Sequence, residues 1–468
     1  MRRALAAVFL LFLAGGEQRA AAADDLMWGV NGHPFTAYPG ISYETQLDHI
    51  RDLGMKSYRV NISQLDHESA LAHLVKLAKQ RDIQILPALT PPVDLAKTDP
   101  DTLYKQARAF AVHFVSRFKD DIRVWELGNE MEVFAIIRPC EMQDDGVQYN
   151  CAWGPAGGVG PLEYYGPRWA KVSAVLKGLS DGTKSVDPAI RKAIGTAGWG
   201  HVGAFERMKR DGIEWDISVW HMYGQDPEWA FKTIAGFGKP IWITELNHPY
   251  GSQRSEVDQA DGLRKTMMRL RELRAAYRVE AAQIYELLDE SYWAPDFEAY
   301  MGLVRLGKHG EKWAVSDTKP AYCVVKTMIH SGQDMTEEML RGCHICLAPP
   351  AGKSAQDKTR YSYCLLLGRS PDGQGLSDWS AALERGRLED VLLSMMQSDE
   401  FRERHRLVGI SREDYVKFIY RLLLGRDPDG QGYSDYVASL QSGRSSQADI
   451  ARSLILSDEF RAKHPVFF

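Results

Sequence analysis

Three carboxylates crowd the stretch VWELGNEMEV, residues 124–133: Glu126, Glu130 and Glu132. The run before them is apolar and β-prone, so they fall where a strand ends. Another acid stands 115 residues beyond Glu130, at Glu245 in PIWITELN, again closing an apolar run. Two opposed carboxylates can break a glycosidic bond. One protonates the leaving oxygen, and the other attacks the sugar carbon, or activates water, from the opposite face. Their proton affinities must then be driven apart, so that one is protonated and one ionised near neutral pH. Other strand ends carry suitable helpers: Arg59 to hold Glu245 as an anion, Tyr223 to donate to it, and Asn129 to bind a sugar hydroxyl.

The elements that must position these residues repeat in a regular order. Eight β-rich runs are MWGVN, SYRVNI, IQILPAL, RVWELGN, RKAIGTAG, ISVWHMY, PIWITEL and AAQIYELL, and amphipathic helical patterns such as ESALAHLVKLAKQRD lie between most of them. Eight strands alternating with helices over residues 27–330 predict a (β/α)8 TIM barrel, an α/β fold whose chemistry sits at the C-terminal ends of the strands. A doubly wound sheet is the rival, but no Gly-rich phosphate loop follows the first strand. In a closed barrel, strands four and seven face each other across one mouth, which brings Glu130 opposite Glu245.

The ordered set Asn129-Glu130, His221-x-Tyr223 and Thr244-Glu245 resembles the clan A glycoside hydrolases. The resemblance implies a retaining enzyme that cleaves β-glycosidic bonds of a polysaccharide without a metal or cofactor. By position, Glu130 is similar to the acid/base and Asn129 to its sugar-binding neighbour. Glu245 matches the nucleophile, His221 and Tyr223 the strand-six pair, and Arg59 the strand-two arginine. The sugar-stacking Trp that many members carry after strand eight is replaced by IYELLDESYW, which leaves Tyr285 or Trp293 to serve. GNE also stands where WNE is commoner. Within the clan the chain most resembles family 39 and glycosidases that accompany bacterial exopolysaccharide synthesis. The alternative is a non-catalytic carbohydrate-binding or matrix-organising protein built on the same barrel.

Strand alternation puts Glu126 on the same face as Glu130 but deeper, as a buried structural carboxylate. Glu132, past the strand, is expected to be solvated or to cap a helix. Asp289 and Glu290 are the rivals for the second acid, and Trp153 and Trp199 are either sugar platforms or buried indoles. Six cysteines allow 15 pairings. Cys140 and Cys151 flank one polar loop and are expected to pair. CHIC at 343–346 is read as structural bridging ahead of a metal or redox pair, because no second ligand pair has zinc-site spacing.

Residues 1–23 read as a signal peptide: a basic MRR, the apolar run ALAAVFLLFLAGG, and small residues before Asp24. A secreted or periplasmic protein with no membrane span in the mature chain is expected. A net charge of −5 offers no basic footprint for nucleic acid. The barrel is placed at 24–335, a polar linker at 336–358 and a small all-helical tandem repeat at 359–468. YCLLLGRSPDGQGLSDW returns as YRLLLGRDPDGQGYSDY after 57 residues, and SDEF returns after 59. These repeats resemble a domain of unknown function in secreted bacterial proteins, which implies an extracellular role but no defined activity; binding of other extracellular components is the expectation. DPDGQGYSD has calcium-like acid spacing at Asp427, Asp429 and Asp435, but the twelfth position is Ala438. A turn followed by a Ser N-cap, Ser377 or Ser434, accounts for both copies.

Overall fold

The computed structural model describes residues 26–38, 40–309, 312–343, 352–405 and 407–468. The predicted signal peptide, and His344 to Cys346 of the CHIC motif, lie outside them. Eight parallel strands close into one barrel in chain order. They are β1 (Met27–Gly32), β2 (Ser57–Ile62), β3 (Gln84–Leu89), β4 (Val124–Leu127), β5 (Arg191–Thr196), β6 (Ile217–Tyr223), β7 (Ile241–Asn247) and β8 (Val279–Ile284). Each predicted run overlaps one of them, and that for β8 starts two residues late. The helices between the strands form the outer layer, beginning with α1 (Tyr43–Asp52), α2 (His67–Lys79) and α3 (Pro100–Phe118). Local chemistry starts them where the chain leaves the barrel mouth. Asp99 accepts from the Thr102 amide at 3.0 Å with Pro100 in the first turn, and Ser42 does the same for Thr45 at 3.1 Å.

The barrel interior is layered by residue type. Leu86, Ala193, Ile217, Val219, Trp242 and Ala281 form an apolar plug toward the N-terminal end of the strands. Above it the inward positions turn polar and stay buried: Asn31, Arg59, Glu126, His221 and Glu245 are each less than 8% exposed. Apolar side chains between strands and helices form the larger core. Each fully buried Val, Leu or Ile there stabilises by about 1.5–3 kcal/mol, and this surplus lets the barrel carry a layer of buried charge.

After β8 the chain forms an antiparallel hairpin, β9 (Val304–His309) with β10 (Lys312–Thr318), which the alternating pattern had not suggested. Among the described residues, Cys140 is disulfide-bonded to Cys151 as expected, and Cys323 to Cys343. The second explains half of the CHIC motif and ties the segment through Cys343 to the barrel. There Met335, Leu340 and Cys343 pack into the main core, so the predicted linker is partly core structure.

The C-terminal region is all-helical with its own core. Its first unit is Ala355–Leu367, Gly373–Arg385, Leu388–Met396 and Asp399–Arg404; its second is Arg412–Leu424, Gly430–Gln441, Gln447–Ile455 and Asp458–Lys463. The first two helices of each unit start 57 residues apart and the last two 59, so the second unit carries two extra residues between the start of its second helix and the start of its third. The predicted Ser377 and Ser434 caps are incorrect. Both serines lie inside helices, and Asp372 and Asp429 cap instead, accepting from the Gly375 and Gly432 amides at 2.7 and 2.8 Å. Asp429 therefore already has a partner, and Asp427 is paired with Arg421, which leaves no calcium loop in this geometry.

Candidate active site

The acids reach the mouth by two departures from regular strand geometry. β4 ends at Leu127, and Gly128 then turns at φ 80°, where a Cβ would stand 2.8 Å from Met131 Cγ. Glu130 follows in the left-handed region at φ 48°, a conformation that costs a non-glycine residue about 1–2 kcal/mol. This corner lifts Glu130 off the strand and leaves its side chain 36% exposed. On the other side β7 bulges. Trp220 pairs with Ile243 but His221 pairs with Glu245, so Thr244 is an extra residue. Such a bulge re-aims side chains, and here both Thr244 and Glu245 face the interior. The Asn31 amide holds the bulge by donating to the Thr244 carbonyl at 2.8 Å.

Arg59 is the hub of the buried layer. Its Nε and Nη2 grip both Glu126 oxygens at 2.7 Å each. Nη2 also donates to Asn129 Oδ1 at 2.7 Å, and Nη1 donates to Asn31 Oδ1 and Glu245 Oε1 at 2.8 Å each. These contacts use all five guanidinium N–H groups. Because Asn129 turns its oxygen to Arg59, its NH2 is the end that faces away from the hub.

Glu245 Oε2 accepts from the Tyr223 hydroxyl at 2.8 Å and lies 3.4 Å from His221 Nδ1. Burial alone would raise the Glu245 carboxyl, but the facing His221, the Arg59 guanidinium and the Tyr223 hydroxyl outweigh it and hold it below the ordinary carboxylate value. The same His221 Nδ1 is 2.8 Å from Glu130 Oε1. One oxygen of Glu130 and one of Glu245 lie within 4.8 Å of each other. A negative carboxylate therefore faces a half-exposed acid across the mouth, with an imidazole between them.

Arg59, Asn129, Glu130, His221, Tyr223 and Glu245 thus converge. Tyr285 joins them, its ring edge-on to Tyr223 at 6.4 Å and its hydroxyl 3.3 Å from His33. Trp293 stands on the rim, 58% exposed, with its ring tilted against Tyr292. Trp153 and Trp199 are exposed at 61% and 60% rather than buried. A cleft beside His221 is lined by Trp199, Trp220, Tyr223, Pro227 and Trp229. Glu126 is the buried structural acid expected.

Glu132 is not solvated. It is 2% exposed, accepts from the Ala197 amide at 2.7 Å and pairs with His201 at 2.8 Å, clamping the β4 turn to the loop after β5. Of the rivals for the second acid, Asp289 is held by buried Lys319 at 2.6 Å. Asn31, His33 and Glu298 escaped the sequence reading, and Thr244 entered it only as a member of the Thr-Glu pair, without a role of its own. Asn31 and His33 sit at the end of β1, which with β3 and β5 was a strand end from which no polar residue had been taken.

Glu286, Glu290 and Glu298 surround the β8 end with little positive charge. Burial, then Glu290, lifts the Glu286 carboxyl well above its ordinary value. Burial also lifts Glu290 to about 6, and burial with the Glu245 charge lifts Glu298 to about 7. A carboxyl raised on folding keeps its proton longer in the folded state, so its stability contribution is full below the unfolded value near 4.5 and is lost as pH rises through about 7. Glu298→Gln is therefore expected to be more stable than the wild type at pH 7.5 and equal to it at pH 4, as urea unfolding at both pH values would read. Equal stability at pH 7.5 would rule this out.

Among the described residues, two triads have donor atoms close enough to meet one cation, Glu130–His221–Glu245 and His33–Glu286–Glu290. The first suits a metal poorly, because the Arg59 guanidinium already occupies Glu245 at 2.8 Å and repels a second cation.

Among solved structures, the chain is similar to a family 39 glycoside hydrolase from the gut symbiont Bacteroides cellulosilyticus WH2. The identity is 17% and the TM-score 0.47, covering 66% of this chain and 65% of that one, just under two thirds of its length. It is also similar to the family 1 β-glucosidase from Thermotoga maritima, at 12% identity and TM-score 0.48, over 67% of this chain and 99% of that one. Residues 359–405 and 396–464, the two helical units, match the family described as Domain of unknown function (DUF4214). No curated protein matches the chain.

Proposed function

We propose that the protein is an exported, retaining glycoside hydrolase that cleaves β-glycosidic bonds of a polysaccharide, a bacterial exopolysaccharide. One observation carries the reading: Glu130 and Glu245 enter the mouth from opposite walls of the barrel and approach within 4.8 Å, with Glu245 held as the anion. Retaining enzymes place their carboxyl groups about 5–5.5 Å apart, whereas inverting enzymes leave about 6.5–9.5 Å for a water. In this reading Glu245 attacks the anomeric carbon while Glu130 gives its proton to the departing oxygen. Water, deprotonated by Glu130, then releases the sugar from Glu245, and the two inversions restore the starting configuration. The exposed Trp199, Trp229 and Trp293 supply stacking faces for sugar rings on either side. The Cys140–Cys151 and Cys323–Cys343 disulfides support an exported chain. In the same reading the helical units bind other extracellular material.

The test begins with a panel of bacterial polysaccharides and aryl β-glycosides. The first-formed product, read by NMR before mutarotation, is expected to keep the β configuration. Glu130→Gln is expected to lose roughly 10²–10⁴-fold in kcat/KM on substrates with poor leaving groups and little in kcat/KM on dinitrophenyl glycosides, whose kcat falls because release of the sugar from Glu245 has lost its base and is restored by azide, which yields a β-glycosyl azide. An inverted first product, or equal loss on both leaving groups without rescue, overturns the assignment.

A further inference from the structure

The bulge residue Thr244 touches two groups that the proposed reaction leaves unconnected. Its hydroxyl is 3.2 Å from Glu126 Oε1 and 3.0 Å from His221 Nε2. The directions of these bonds follow from charge. Both oxygens of Glu126 face the Arg59 guanidinium at 2.7 Å, so Glu126 can only accept. The single Thr244 hydrogen therefore goes to Glu126. The Thr244 oxygen has only lone pairs left for His221, so Nε2 of that ring must carry its hydrogen. All proton exchange by the imidazole is then confined to Nδ1, which faces Glu130 Oε1 at 2.8 Å and Glu245 Oε2 at 3.4 Å.

We propose that Thr244 is a positioning residue: the line Glu126–Thr244–His221 fixes the Nε2–H form of the ring and so keeps one proton in the Nδ1–Glu130 hydrogen bond, where a leaving group can take it. This rests on the reading of Glu130 as the proton donor. The proton balance is simple. The His221–Glu130 pair gives up one proton to the departing oxygen and regains one from the water that ends the cycle. Because two groups share it, the basic limb of the pH–rate profile belongs to the pair. The charged groups facing His221 are Glu245 on β7, Glu130 after β4 and Arg59 on β2. Burial alone would lower the imidazole, but Glu245 and the hydrogen bond to Glu130 outweigh it and raise the ring above its ordinary value. Glu126 thus acts on the chemistry from a layer below it, through a hydroxyl that strand alternation would have pointed outward.

The ring can be read without substrate. Long-range ¹H–¹⁵N NMR of the full labelled chain, with the His221 signals assigned by their loss in His221→Asn, is expected to show Nε2–H at every pH and titration at Nδ1 alone. Thr244→Val deprives Nε2–H of its acceptor, which disfavours the cation most. The midpoint is expected to fall by about one pH unit, and the neutral ring to become a mixture of tautomers. Thr244→Ser, which keeps the hydroxyl, is expected to behave as wild type. On the substrate found by the panel, Thr244→Val is expected to move the basic limb down by the same shift. It should slow poor leaving groups about 10-fold and dinitrophenyl glycosides less than 2-fold. A wild-type ring with Nδ1–H and bare Nε2, a midpoint unmoved by Thr244→Val, or a Thr244→Ser variant that behaves like Val overturns the proposal. Should Thr244→Val fail to fold, the wild-type and Thr244→Ser spectra still decide. If the tautomer is found but Glu130→Gln shows no leaving-group dependence, the proton-donor reading fails and the His221 line stands as structure only, which overturns its proposed role.

Discussion

Glu245→Gln is expected to lower kcat by roughly 10⁴-fold or more on every substrate, activated or not. The reason is the geometry of the bulge. Glu245 is held as an anion by Arg59 and Tyr223 at 2.8 Å each. The amide that replaces it is neutral and a poor nucleophile, so good leaving groups cannot compensate, in contrast to Glu130→Gln. In Glu245→Gly the space left behind admits a small anion, and added azide is expected to give the glycosyl azide of inverted configuration. Labelling by a 2-fluoro glycoside should mark Glu245. Residual turnover of a few per cent in the glutamine variant, or a label on Asp289 or Glu290, overturns the role.

Arg59→Met is expected to destabilise the fold by about 3–5 kcal/mol at pH 7, because it leaves two buried carboxylates, Glu126 and Glu245, without their common cation. The loss should shrink as pH falls and those acids become protonated. Arg59→Lys is expected to recover only part of it. An ammonium has three donors, and four side chains on three other strands or their ends, β1, β4 and β7, wait for five hydrogen bonds. Urea denaturation of the three proteins at pH 7 and pH 4 measures this, and a change under about 1 kcal/mol at pH 7 would contradict the hub.

Most of this site was legible because a parallel barrel converts sequence into position. Residues at the ends of apolar runs gather at one mouth, and Arg59, Glu130, His221, Tyr223 and Glu245 could be found by that rule alone. The misses share a physical cause, which is a local break in the period. Thr244 was seen only as the neighbour of Glu245 and given no role, because alternation from Glu245 turns it outward and only the bulge turns it in. Glu132 was misjudged because the left-handed turn at Glu130 folds the chain back under the loop after β5. Ser377 and Ser434 were chosen as caps although the Asp-Gly turns just before them start the helices a few residues sooner. Asn31 carried no signal of its own, since a neutral amide on a buried strand has meaning only beside the arginine it supports.

The loop between Cys140 and Cys151 follows Glu130 directly in the chain, and most of its residues are exposed. Exposed loop tips are where proteases cut first. Here the two flanking residues are covalently joined with their Cα atoms 4.5 Å apart. A single cut inside the loop therefore divides the polypeptide but not the molecule: the new ends remain tethered at the base, and the segments carrying Glu130 and Glu245 still belong to one covalent body. Such a nicked chain would run as two fragments only after reduction. In surroundings rich in proteases, the lifetime of the fold is then set by the rest of its surface rather than by this long excursion beside the mouth.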